Sequence, residues 1–135
     1  MKLLQCSSNI GLLFINLTNI QMDKRTFLRK INNCINNMGT PKVYHPKRMK
    51  PKWLSLTTNK EKMEALEGWI MSKKPSLGFK RLVNSGLAEK TLESIIIQNK
   101  ECERFFSESN VRKHCIDKFM LFKKGKEYLI SIGIV

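Results

Sequence analysis

Phe27, Leu28, Ile31, Cys34, Ile35 and Met38 recur every three or four residues, and no other feature of the chain restricts its fold as strongly. Side chains at that spacing share one face of a helix, so the pattern predicts a helix over residues 23–38. Asp23 stands where a capping carboxylate would accept from the first free amides, and Gly39 suits a left-handed stop. The opposite face carries Lys24, Arg25, Arg29, Lys30 and four asparagines. An apolar stripe of this kind needs a core to cover it.

The rest of the chain offers that core in short pieces. Met63, Leu66, Trp69 and Ile70 predict a second helix over 59–72, with Glu61, Glu64 and Glu67 alternating with Lys60 and Lys62 outside. Pro75 ends it. A shorter helix follows over about 77–85, then a turn at Gly86, then a helix to about Gln98 on Leu92, Ile95 and Ile96. Ser107 can cap a helix bearing Val111, Cys115 and Phe119. Lys123-Lys124-Gly125-Lys126 reads as a turn. Tyr128, Ile130, Ile132 and Ile134 then alternate with Leu129, Ser131 and Gly133, which predicts a closing strand.

Residues 1–21 allow three readings. Met1-Lys2 and the apolar residues after it hint at a signal peptide, but Gln5, Ser7, Ser8 and Asn9 break the run and no small-x-small site follows. Leu13, Ile15 and Leu17 alternate as a strand would, and could pair with the carboxy-terminal one. Met22 could equally be the natural start. The segment is too short and polar for a transmembrane helix. The fold class expected is mainly α: a small helical domain with a helix-turn-helix-like hairpin, one or two short strands and a basic extended segment. Residues 1–58 would form the apolar segment, basic helix and basic arm, and 59–135 the helical domain.

Charge points to a partner. The chain has 135 residues and a net charge of +14, a field that attracts polyanions. Residues 1–58 hold ten basic residues against one acid, Asp23, while the later segments mix signs. Within residues 40–53, Pro41, Pro46 and Pro51 favour an extended path. There Lys42, Lys47, Arg48, Lys50 and Lys52 are interleaved with Tyr44, His45 and Trp53. Cations can follow phosphates while rings stack on exposed bases, although a solvated linker anchored by Trp53 fits the same residues.

Enzyme chemistry finds little support. Cys6, Cys34, Cys102 and Cys115 are scattered without CxxC spacing, and His45 and His114 complete no ligand set, so no metal is expected. Scattered cysteines suit a reducing, intracellular setting, cytoplasmic or nucleoid-associated. No carboxylate cluster, phosphate-binding glycine loop or nucleophile elbow is present, so neither catalysis nor a cofactor is expected.

Gly86-Leu87-Ala88-Glu89-Lys90-Thr91-Leu92-Glu93-Ser94-Ile95 resembles the turn and second helix of helix-turn-helix DNA-binding proteins. In that family a glycine permits the turn, and apolar residues matching Leu87, Leu92 and Ile95 hold the two helices together. The resemblance, confined to residues 78–97, implies an exposed recognition face with Lys90 and Ser94, and Lys80 and Arg81 close to a backbone. Leu82 departs from the small residue usual there, and Glu89 and Glu93 would repel phosphate. A plain helical hairpin in a small core fits the same residues.

The function expected is therefore non-catalytic nucleic-acid binding, with DNA first, as a small regulator or mobile-element accessory protein. A structural RNA-binding protein of a ribonucleoprotein is the second reading, and a protein-interaction adaptor the third. The contact residues expected are Lys24, Arg25, Arg29, Lys30, Lys42, Tyr44, Lys47, Arg48, Lys50, Lys52, Trp53, Lys80, Arg81 and Lys90.

Overall fold

The structure, a computed structural model, describes residues 22–38 and 48–135. The regular secondary structure among the described residues is all helical. Helix α1, Lys24–Asn37, starts where Asp23 accepts the Thr26 amide at 2.8 Å, and it buries Phe27, Leu28, Ile31 and Ile35. Gly39 lies outside the described residues.

Helix α2, Met49–Ser55, corrects the carboxy-terminal end of the extended path expected over residues 40–53, of which 40–47 lie outside the described residues. Pro51 is its third residue, inside the first turn, where an amide has no partner within the helix to lose. Helix α3, Asn59–Ile70, begins with a reciprocal capping box between Thr58 and Glu61. Helix α4, Leu77–Asn84, is capped by Ser76.

Gly86 follows α4 with φ +78°. The Gly86 amide donates to the Val83 carbonyl and the Leu87 amide to the Leu82 carbonyl, closing α4 with a Schellman motif. A short 3-10 turn over Ala88–Lys90 leads into α5, Leu92–Gln98, capped by Thr91. A second 3-10 segment, Lys100–Phe105, precedes α6, Val111–Met120. Ser107 does not cap α6. Its amide and hydroxyl donate to Glu67 instead, and Asn110, in a left-handed conformation, opens the helix.

The carboxy-terminal strand is corrected to a helix, α7, Lys123–Ser131. Lys123 to Lys126 form its first turn rather than a connecting turn. Alternation misled because residues 128–130 are all apolar, so two periods fit. The period that wins puts Gly125, Tyr128, Leu129 and Ile132 inward and leaves Ile130 60% exposed. Gly133, with φ +79°, closes α7 with a second Schellman motif through Leu129 and Ile130. The partner strand expected in the first 21 residues lies outside the described residues.

One core joins these helices. Phe79 of α4, Phe119 of α6 and Tyr128 of α7 stack in series, with ring centroids 5.0 and 5.2 Å apart. Phe27 of α1 meets Phe105 and Phe106 at 5.8 and 5.9 Å. Lys118 on α6 and Glu93 on α5 form an ion pair at 2.9 Å, with side chains only 5% and 10% exposed. Helices α6 and α7 meet closely because Gly125 lies over the Phe119 carbonyl, which an added Cβ would overlap.

These glycines make separable predictions. Gly86→Ala strains a left-handed residue in open space and should cost about 1–2 kcal/mol in chemical denaturation. Gly125→Ala forces backbone apart and should cost about 3 kcal/mol, the upper end of overpacking. If Gly125→Ala proved the milder, the α6–α7 contact described here would be wrong.

Candidate nucleic-acid interface

The outward face of α1 follows from the burial of its apolar stripe. Once Phe27, Ile31 and Ile35 turn inward, Lys24, Arg25, Arg29 and Lys30 must face water, and all four are exposed. Asn33, Asn36 and Asn37 continue that exposed surface toward the carboxy-terminal end of the helix. No acidic side chain lies within α1. Lys30 Nζ donates to Asn99 Oδ1 at 3.2 Å, an exposed neutral bond that leaves its charge uncompensated.

Residues 48–52 of the basic segment join this face. Lys50 Nζ donates to the Asn36 carbonyl at 3.3 Å, where a cation complements the negative end of α1. Arg48 and Lys52 are exposed beside it on α2. Lys42, Tyr44 and Lys47 lie outside the described residues.

Trp53 is a core residue, not a stacking platform. It is 1% exposed, and its indole Nε1 donates to Asn32 Oδ1 at 3.0 Å. Trp69 stands 6.1 Å from it, centroid to centroid. Asn32 therefore leaves the polar face of α1 to satisfy a buried N–H, as buried indoles require.

The helix-turn-helix-like segment keeps its turn and loses its reading face. Gly86 has the positive φ expected. Leu92 is buried, but Leu87 and Ile95 are half-buried. Helix α5 has seven residues and buries Leu92, Glu93, Ser94, Ile96 and Ile97. Ser94, expected outside, is 2% exposed, with its hydroxyl donating to the Thr91 and Glu89 carbonyls. Glu93 turns inward to Lys118. A helix enclosed in this way cannot lie in a DNA groove. Lys80 and Arg81 are exposed on α4.

Lys90 remains available, and the fold brings it to α1. Lys30, Asn33, Cys34 and Asn37 of α1 line an open cleft of about 240 Å³ together with Glu89 and Lys90. The Cys34 thiol donates to the Lys90 carbonyl at 3.3 Å and ties the 3-10 turn to the helix. Burial, with the nearby Glu93 charge adding to it, pushes that thiol up to about 12. Burial likewise pushes the Cys102 thiol up to about 12. Both stay protonated near neutrality, where a thiol is a poor nucleophile.

No family model, curated protein sequence or solved structure matches the chain. The site therefore has to be read from its own geometry. That geometry places Lys24, Arg25, Arg29 and Lys30 on one exposed helix, sets Lys50 at its carboxy-terminal end and Lys90 across the cleft from Lys30, and buries Trp53. Sequence reasoning missed the buried Lys118–Glu93 pair. A signal was present: Lys118 falls in the apolar stripe of α6, between Cys115 and Phe119.

Trp53→Ala should lower stability by about 3–5 kcal/mol, as expected for removing a buried aromatic. Affinity for single-stranded DNA, measured well below the melting temperature, should stay unchanged. Weaker binding with unaltered melting would return Trp53 to the interface.

Proposed function

We propose that the protein binds nucleic acid without catalysis, holding a phosphate backbone along the outer face of α1. The observation that carries this reading is a row of four exposed cations on a helix that contains no acid, the carboxylate at its start, Asp23, being held by the Thr26 amide. Ion pairs join Lys113 to Asp117 and Lys118 to Glu93. Lys24, Arg25, Arg29 and Lys30 take part in neither, so binding a polyanion breaks no internal pair.

Counterions gathered by a chain of +14 are released when phosphates replace them, which drives association. Asn33, Asn36 and Asn37 add neutral donors and acceptors suited to phosphate and sugar. Arg48 and Lys52 extend the surface from α2, and Lys90 borders it across the cleft. Because α5 is enclosed, the contact is directed at the backbone. The expected small DNA-binding regulator or mobile-element accessory protein fits this, as does an RNA-binding component of a ribonucleoprotein. Free thiols at Cys34, Cys102 and Cys115 suit a reducing compartment, cytoplasmic or nucleoid-associated. No helix among the described residues is long and apolar enough to cross a membrane.

Affinity for duplex DNA and for structured RNA should fall steeply with salt. Replacing Lys24, Arg25, Arg29 and Lys30 with Gln should make the log-log salt slope shallower by about 3–4, since each lost phosphate contact removes about 0.9. A slope unchanged by the four replacements would contradict the placement on α1.

A further inference from the structure

A second cleft lies beside the first, with Met38 and Leu82 lining both. Its volume is about 290 Å³, at the small end of ligand sites. Met38, Met49, Trp69, Phe79, Leu82 and Leu92 form its walls. Ser72, Lys74 and Ser76 also border it, and Lys74 is exposed.

Glu93 is the charged group buried in this cleft, beside Thr91, whose hydroxyl is already committed to the Ala88 carbonyl. Its Oε2 accepts from Lys118 Nζ at 2.9 Å, and its side chain is only 10% exposed. Among the described residues Lys118 is the carboxylate's one hydrogen-bond partner, so Oε1 has no donor. An oxygen of a nine-tenths buried carboxylate that has no protein donor can accept from a ligand N–H entering the cleft. The ion pair is neutral as a unit, so it suits an uncharged N–H head group rather than a cation. Aromatic and sulfur-bearing walls suit a flat, polarisable body. Lys74 suits a phosphate attached to it. Together these describe a nucleobase with an exocyclic amino group and a phosphate on its sugar.

We propose that this cleft receives one unpaired, amino-bearing base, its N–H donating to Glu93 Oε1 beside Trp69 and Phe79. The inference rests on the nucleic-acid-binding reading and adds a preference among bases to a contact otherwise made with the backbone. Cytosine presents an amino group where uracil presents a carbonyl oxygen. Uracil's one ring donor, N3–H, lies between two carbonyl oxygens, so turning it to Glu93 brings both acceptors up to the carboxylate, which repels them.

The test titrates the full chain with CMP and with UMP, following tryptophan emission, since Trp69 lines the cleft. CMP should quench emission and bind at least about tenfold tighter than UMP, the discrimination expected of one hydrogen bond to a charged group. Short oligo-dC and oligo-dT then separate a base within a strand from a free nucleotide. Oligo-dC should bind tighter than both CMP and oligo-dT. An oligo-dC no tighter than CMP would overturn the strand-borne base and assign the site to a free nucleotide.

The double variant Glu93→Gln/Lys118→Met, which keeps the core neutral, should abolish the preference. The CMP–UMP comparison on the unaltered chain stands whether or not that variant folds. Equal affinities, or no response to either nucleotide, would overturn the inference. Oligonucleotide binding that stayed steeply salt-dependent would then leave the α1 reading intact. Loss of all oligonucleotide binding would remove both.

Discussion

The ion pair between Glu93 and Lys118 decides which way α5 faces. Two opposite charges sit in the core, joining α5 to α6 at 2.9 Å. Desolvating them is expensive, and only their mutual attraction offsets the cost. Lys118 Nζ also lies 5.8 Å from the Phe79 ring centroid, so α4 borders the pair as well. Rotating α5 toward solvent would leave a buried ammonium without its carboxylate, a loss of about 3–5 kcal/mol. The pair thereby encloses the helix that resembles a recognition helix and leaves the basic faces of α1 and α2 exposed.

Asp117 pairs with Lys113, but four other acids accept from backbone amides instead of lysines. Asp23 accepts from the Thr26 amide, which holds its carboxyl below the ordinary range. The Thr57 and Thr58 amides do the same for Glu61. At Glu67, burial pushes the carboxyl up, but hydrogen bonds from Ser107 and Glu108 outweigh it and leave the carboxyl lowered. Glu103 accepts from the Arg112 amide. Carboxylates spent on helix starts and turns cannot neutralise the cations of α1. The positive face is thus a consequence of how the fold uses its few acids, as much as of composition.

Much of this fold was legible wherever one period had no rival. The stripe of α1, the Asp23 cap, the helix starting at Asn59 and the turn at Gly86 each followed from a local rule that the core reinforced. The carboxy-terminal strand was not legible, because an unbroken apolar run at residues 128–130 fits both periods. Only the close approach of Gly125 to Phe119 and the stop at Gly133 select the helix. Pro51 misled for a different reason: a proline forbids the interior of a helix but not its first turn. Trp53 and Ser94 were placed outside because their partners, Asn32 and the Glu89 carbonyl, could be known only from the tertiary fold. In the candidate site, the cations of α1 were legible as one face of a helix. The approach of Lys90 to Lys30 was not, since 60 positions of chain separate them and only the folded core brings them to one cleft.

The reading proposed above lays nucleic acid along α1. Its most direct test is ultraviolet crosslinking of the full chain to the nucleic acid that co-purifies with it, followed by peptide mapping. Crosslinks concentrated in residues 24–37 and 48–52 are the result expected. Crosslinks confined to the acid-bearing helix over 59–70, or a protein that carries no nucleic acid and crosslinks to none that is added, would contradict the account.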